Sequence, residues 1–444
     1  MQYRVVSRAF GLVLGVLCTT SAPVSAQTSS VAEAREKARA TPANAEASLA
    51  YGQALRRAGR ESEALAELRR GLGVTAGKPE LASRVQWEIA RTHIAKREFE
   101  AALAACRSIA RTPPAPNAPP APPAAQATSR VCASEAHLLW RRGTEATAEI
   151  AELAKIKDPS IEVQYFAKLA TGRAHELASK EPDAEASYRD AIRLAESRPD
   201  AHVLLGAMLR RLGKDGLPSL RKAVELDRFD PVAQLELGRA LAPGSAESLT
   251  ALERAVAERP TFADALRALA EGYVAANRLA DAKRTVETIL KIAPNDVFSH
   301  VTAGRVALAE GRADDAIKEG EIASKLMPNV QAARLLVADG WAKKGEIDLA
   351  VEAYQAAVGL DRSDPTPLVN ASQACLAAGR VTSAKAFGVR ATKDFASHAG
   401  AWVALGDALA ADKDVAGARA AYENAKKARG ADPAAIDKKL SRLK

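Results

Sequence analysis

The chain has 444 residues and a formal charge of +9; 48% of its residues are hydrophobic and only 4% aromatic. That length exceeds one ordinary core, the apolar fraction excludes disorder along the whole chain, and the shortage of aromatic residues disfavours a β-sandwich. Abundant alanine suits closely approaching helices, so composition points to an all-α protein built of several domains or of a repeat array.

In chain order the first element is a leader. MQYRVVSRAFGLVLGVLCTTSAPVSAQ sets Arg4 and Arg8 ahead of an apolar run, Ala9 to Cys18, and of a small-residue cleavage site at Val24-Ser25-Ala26. These are the parts of a secretory signal, residues 1–26, cut after Ala26. The run is about half of the roughly 20 residues that a spanning helix needs, and no other segment is apolar enough to span. A lipid-bearing Cys18 is disfavoured because Leu17 stands where such signals carry a small residue. The mature chain is therefore expected in the periplasm or outside the cell, with a charge of +7 once Arg4 and Arg8 are lost.

Residues 27–111 are the next segment. AREKARATP, residues 34–42, reads as a leading half-hairpin, and residues 45–78 place Tyr51-Gly52, Leu55, Gly59, Ala64 and Leu68 at helical spacing. Residues 83–112 carry Ile89-Ala90, Ala102 and Cys106. TPPAPNAPPAPPAAQAT, residues 112–128, is expected to be a stiff insert without a packing face. It either divides a small N-terminal solenoid from the main one, the preferred reading, or loops out of a continuous stack. Cys106 and Cys132 flank it. In an exported chain they either form a disulfide that staples two helices or stay as two buried thiols. Residues 129–164, around Trp140, fit the helical pattern least.

From residue 165 the pattern becomes a period. Counted from Ala399, Trp402 takes position 4, Leu405 and Gly406 positions 7 and 8, Leu409 position 11, Ala418 position 20, Tyr422 position 24 and Ala425 position 27. Steps of 34 residues back give Ser372, Cys375, Gly379, Ala384, Gly388 and Ala391, then Ala338, Trp341, Gly345, Ala350, Tyr354 and Ala357, then Gly304, Ala307, Gly311, Ala316 and Ala323, then Ala270, Tyr273, Ala282 and Val286. Two units of 32 residues precede them, with Leu205-Gly206 and Leu237-Gly238, and residues 165–198 carry Gly172, Ala184, Tyr188 and Ala191. Position 8 must be small where the second helix crosses the first, and positions 20 and 27 where that helix meets its neighbours. Pro294 and Pro328 end second helices, because the residue before proline avoids helical angles. The main array spans 165–432, and PAAIDKKLSRLK, 433–444, reads as a charged capping helix over its end.

This spacing resembles the tetratricopeptide repeat, a 34-residue helix-turn-helix unit. The resemblance implies an α-solenoid, a right-handed superhelix of about eleven units with a C-terminal cap and a concave inner wall. In that family positions 2, 5, 9, 12 and 13 of each first helix line the wall. Carried over, they give a partner-binding surface of Val203, Leu235, Val301, Leu335 and Val369 beside Arg173, Arg239 and Arg305, joined by Arg210 and Arg267 and turning acidic near Asp339 and Asp407. That surface suits an extended peptide with apolar side chains and an acidic half; the bland alternative is a chain simply rich in arginine. The family's clamp for a peptide carboxylate, Lys at position 5 and Asn at position 9, is not matched by Leu335 and Asp339.

No catalytic constellation is found. His93, His137, His175, His202, His300 and His398 are scattered without metal-ligand spacing, and GLGVTAG, 71–77, follows a helix where a dinucleotide loop must follow a strand. Neither a metal nor a cofactor is expected. The sequence thus reads as an exported scaffold that binds proteins or peptides in a cell-envelope complex. The alternatives are a part of exopolysaccharide or cell-wall machinery and, less favoured, an enzyme. Nucleic acid is not expected as a partner, given export and the lack of aromatic platforms.

Overall fold

The computed structural model of the chain describes residues 31–110, 121–361 and 363–443. The expected leader, 1–26, and residues 111–120 of the insert region lie outside them. Among the described residues there is no strand, and the helices run in the order α1 (Val31–Ala40), α2 (Ala45–Arg57), α3 (Glu61–Gly73), α4 (Pro79–Ala95), α5 (Phe99–Ile109), α6 (Pro123–Leu139), α7 (Gly143–Leu153), α8 (Ile161–Leu177), α9 (Glu181–Leu194), α10 (Pro199–Arg211), α11 (Leu217–Leu226), α12 (Pro231–Ala240), α13 (Ala246–Glu258), α14 (Ala263–Ala275), α15 (Leu279–Ile292), α16 (Val297–Ala309), α17 (Ala313–Leu326), α18 (Gln331–Lys344), α19 (Ile347–Val358), α20 (Thr366–Ala377), α21 (Val381–Asp394), α22 (Ala399–Ala411), α23 (Val415–Lys427) and α24 (Pro433–Leu440). Between α1 and α24 they pair into helical hairpins, the all-α solenoid class that the resemblance implies. They divide into an N-terminal unit, described from Val31 to Ala268, and a C-terminal unit from Leu269, with the boundary inside α14.

Each hairpin closes on its position 8. A β-carbon built on Gly52, Gly172, Gly206 or Gly406 would lie 2.5 Å from Leu68, Tyr188, Leu220 or Tyr422 of the second helix of the same hairpin. Two hairpins solve the contact differently. Position 24 of the hairpin α16/α17 is Gly320, so no large side chain reaches Gly304, and Leu336 of α18 fills the space. In α20/α21 position 24 is Gly388, which lets the backbone of Leu405 approach, while Ser372 at position 8 donates to the Ala384 carbonyl at 2.8 Å. The alanines at positions 20 and 27, Ala384 and Ala391 or Ala418 and Ala425, are fully buried.

The turn inside the hairpins repeats a left-handed residue that only part of the sequence announces. Gly59, Gly213, Gly311, Gly345 and Gly379 take it with positive φ, and at the same place Arg97, Arg141, Ser179, Asn277 and Lys413 have φ between 55° and 65°. A β-carbon there costs roughly 1–2 kcal/mol, which the hairpin contacts on either side hold in place.

The looser N-terminal frame has a simple origin. α4, α6 and α8 have 17 residues each, against 13 in α10, α14, α16 and α22. The extra turn shifts the markers out of the 34-residue register. Trp140 is no repeat marker: it caps the end of α6, where it stacks on Phe99 with centroids 5.6 Å apart. The expected insert also shrinks, because residues 123–128 belong to α6, started by Pro123 at its first turn. α5 packs directly on α6. There Cys106 and Cys132 are disulfide-bonded with Cα atoms 5.4 Å apart, and Ser129 donates to the Cys106 carbonyl at 2.9 Å. The stack therefore continues across the insert; the preferred division at that point is not what the structure has. At the far end α24 serves as the cap, with Ile436 buried against Tyr422 and Ala425.

Three stability outcomes follow from these contacts, each readable as a shift in urea midpoint. Gly406→Leu overpacks the α22/α23 contact and destabilises by roughly 1–3 kcal/mol. Lys413→Gly relieves the left-handed turn and stabilises by about 1 kcal/mol. Reducing the Cys106–Cys132 bond costs about 3 kcal/mol by loop entropy, and a Cys106→Ser, Cys132→Ser variant shows no further response to reductant.

Candidate functional site

The first helices of successive hairpins pack on one another in the N-terminal unit, α2 on α4, α4 on α6, α6 on α8 and α10 on α12. Their shared face carries a buried ionic network. Arg56 of α2 pairs with Glu88 of α4. Glu135 of α6 accepts from both Trp87 Nε1 and Arg91 Nε at 3.2 Å. The Arg91 guanidinium sits 4.5 Å from the Trp87 ring centroid and 4.7 Å from that of Phe166, and Arg198 lies 4.6 Å from Phe166 and 4.8 Å from Tyr165. Tyr165 donates to Asp200 at 3.2 Å and accepts from the Ala201 N–H at 3.0 Å. Further along, Glu236 of α12 receives Arg210 at 2.9 Å and Arg239 at 3.5 Å.

Burial sets the protonation of this face. It would by itself raise the Glu88 carboxyl, but the charges of Arg56 and Arg91 outweigh it and hold the group below its usual range. At Asp200 burial wins over Arg198, Arg91 and Arg57, and the carboxyl is raised. Asp230, the N-cap of α12, accepts from the Val232 N–H at 2.8 Å. Burial first, and the Asp227 carboxylate second, push it up to about 7 against the pull of Arg57 and of that N–H, with Asp200 adding to the rise.

The sequence-predicted wall residues fare unequally. Arg173, Val203, Leu235 and Val301 are buried and form core, with Arg173 lining a small pocket beside Glu135 and Phe166. As a surface for a partner these four are corrected: the side chains of neighbouring helices already cover them. Arg210, Arg239 and Arg267 are half-buried and held by Glu236, Glu236 and Asp264. In the C-terminal unit the wall is open in part, around the buried Val301. Arg305 is about half exposed beside Glu271 at 2.8 Å, Gln373 is exposed, and Leu335 and Val369 are half-buried. Its acids are engaged from within: Asp339 accepts from Tyr354 at 2.6 Å and from Asn370 at 3.3 Å, and Asp407 from Tyr422 at 2.7 Å and from Lys439 of α24 at 2.7 Å.

The sequence reading missed Trp87, Glu88, Arg91, Glu135, Phe166, Arg198 and Asp200. WEIAR, residues 87–91, does place Trp87, Glu88 and Arg91 on adjoining helical positions, but the longer helices left their face unassigned. The histidines do not converge: His93 bonds Glu98 at 2.6 Å, and His300 lies between Glu319 at 2.7 Å and the Pro294 carbonyl at 2.8 Å. Among the described residues no group of His, Cys, Asp or Glu could hold a metal ion, and no helix is long and apolar enough to cross a membrane.

Removing one partner of the buried network leaves an uncompensated charge, so Glu135→Ala destabilises the N-terminal unit by roughly 3–5 kcal/mol in urea titration. Asp230 gives the opposite kind of signature. Its folded value lies above its unfolded one, so the folded state holds a proton that the unfolded state has released, and stability falls as pH rises from about 4 to about 7. Asp230→Asn keeps an N-cap acceptor and flattens that slope. The variant gains on wild type at pH 8 relative to pH 4; parallel curves for the two proteins would refute the assignment.

Models described as tetratricopeptide repeat match residues 246–301, and residues 300–365 and 370–434. No curated protein matches the sequence. Among solved structures, yeast Tom70 is similar at 13% identity, with 90% of this chain and 95% of that one covered and a TM-score of 0.48. A tetratricopeptide repeat protein from Parabacteroides merdae is similar at 15%, with 63% and 98% covered and a TM-score of 0.43. The human IFIT1 dimer with PPP-AAAA is similar at 16%, with 82% and 94% covered and a TM-score of 0.44. Likenesses this slight carry nothing about partners. Residues 246–434, whose hairpins keep the 34-residue register, therefore carry tetratricopeptide repeats, the units of a protein-interaction scaffold.

Proposed function

We propose that this scaffold is exported and holds protein or peptide partners, one of them with an acidic segment, on the first-helix face of its C-terminal unit, within a cell-envelope complex. The observation that carries the reading is the contrast in exposure between the two walls. The N-terminal one is occupied by its own buried ion pairs, whereas Arg305, Leu335, Val369 and Gln373 keep accessible surface in a row of successive first helices. Aliphatic side chains spaced by a repeat and edged by an arginine suit an extended peptide, whose apolar residues enter between helices and whose carboxylates meet the guanidinium. Export is supported by the leader sequence and by the Cys106–Cys132 bond, which is at home in an oxidising compartment.

Two measurements test this. The mature protein isolated from its host begins at Gln27; a product that retains residues 1–26 would remove export. Immobilised mature protein captures an envelope protein that an Arg305→Glu, Gln373→Glu variant recovers several-fold less well, while Lys283→Glu, an exposed change on α15, leaves capture intact. Equal recovery by all three proteins moves the docking surface off this wall, and capture of polysaccharide alone favours the cell-wall reading.

A further inference from the structure

A repeat array needs only contacts between neighbours, yet the N-terminal unit has others. The turn after α2 reaches residues that follow it by some five hairpins. Arg57 pairs with Asp227 at 3.4 Å, and Glu61 with Arg259 at 3.0 Å across 198 residues of chain. Between these pairs Gly59 is pressed so close that a β-carbon on it would lie 2.6 Å from Thr261 Oγ1 and 3.0 Å from Arg259 Nε. The unit thus closes on itself at a seam of charged and polar groups.

We propose that this seam is an electrostatic latch: the α2–α3 turn releases from the α11–α12 and α13–α14 turns as a rigid step that leaves every hairpin intact, and so opens the closed first-helix face of the unit. Three features of the seam support release. Its pairs are not required by the stacking of any two adjacent hairpins. It holds a strained charge, since burial first and the charge of Arg56 after it oppose the Arg259 guanidinium against the pull of Glu61. It also leaves donors under-used: Arg259 Nε and Arg56 Nη2 are buried without a hydrogen-bond acceptor, and release would expose them to water. Behind the seam the pairs Arg56 with Glu88 and Arg91 with Glu135 join adjacent hairpins and travel with them, whereas the packing of Trp87 and Arg91 on Phe166, two hairpins on, loosens as the face opens.

Spin labels on Arg60→Cys and Ala257→Cys, both exposed and on the two sides of the seam, with Cys375 replaced by Ser, report the gap directly in the full mature chain. At low salt one short distance is expected. At about 1 M salt, where the screening length falls to about 3 Å, and in Glu61→Arg, the distribution moves to longer and broader distances while the helical circular dichroism stays unchanged. The swapped variant Glu61→Arg, Arg259→Glu restores the short distance. A single unchanged distance in high salt and in Glu61→Arg would overturn the latch, and so would lengthening that comes only with loss of helix. Neither result depends on the partner-binding wall of the C-terminal unit.

Discussion

The approach of two helices at one small residue is the constraint on which the rest of the structure depends. At Gly52, Gly172, Gly206 and Gly406 there is room for a backbone and nothing more, and the side chain that fills the space above it comes from a fixed place on the second helix. Fixing that contact fixes the crossing of the hairpin, and the hairpin then presents apolar faces that it cannot cover alone, so the next must stack. The exchange seen at Gly304 shows that volume, more than identity, is conserved in this contact. When position 24 is emptied at Gly320, a leucine from the following hairpin takes over the same role.

Because stacking is dictated by the small positions, the first-helix face is left over for other uses, and the two units use it differently. In the N-terminal unit it has become a polar core, with guanidiniums lying against aromatic rings and carboxylates shared between helices. Such a face costs desolvation, which only dense mutual pairing offsets, and Asp200 and Asp230 mark where the pairing falls short, since both carboxyls are raised. In the C-terminal unit the same positions hold short aliphatic side chains. Two of its acids, Asp339 and Asp407, are engaged by tyrosines, so its accessible charge is the half-exposed pair of Arg305 with Glu271.

The period, the hairpins from α10 onward and the cap were legible in the sequence because they rest on local size at fixed spacing. What was not legible rests on longer or subtler terms. One additional turn in α4, α6 and α8 moves Trp87, Arg91 and Phe166 off any 34-residue template. The left-handed turn is announced by Gly345 and Gly379 but hidden at Arg97 and Arg141, where the fold imposes it on residues that do not favour it. Wall positions taken from the family fall on the first-helix face, yet could not separate Val203 and Leu235, which are covered, from Leu335 and Val369, which keep part of their surface. Whether a first-helix residue is wall or core depends on how tightly the unit curls, and curl is a sum of small rotations that no single repeat encodes.

Curl also decides what can meet what. Arg57 and Asp227, or Glu61 and Arg259, sit in unrelated turns, and neither turn carries a signal for the other. Their meeting is a consequence of accumulated geometry. A small change in any intervening crossing would separate them. Stability therefore resides in the glycine and alanine contacts between neighbours, and the seam can be polar because it is asked only to choose between two curvatures of an already folded array. A hydrophobic seam would have made that choice permanent. A charged one leaves it open to ionic strength and to any partner that presents a competing carboxylate to Arg57 or Arg259.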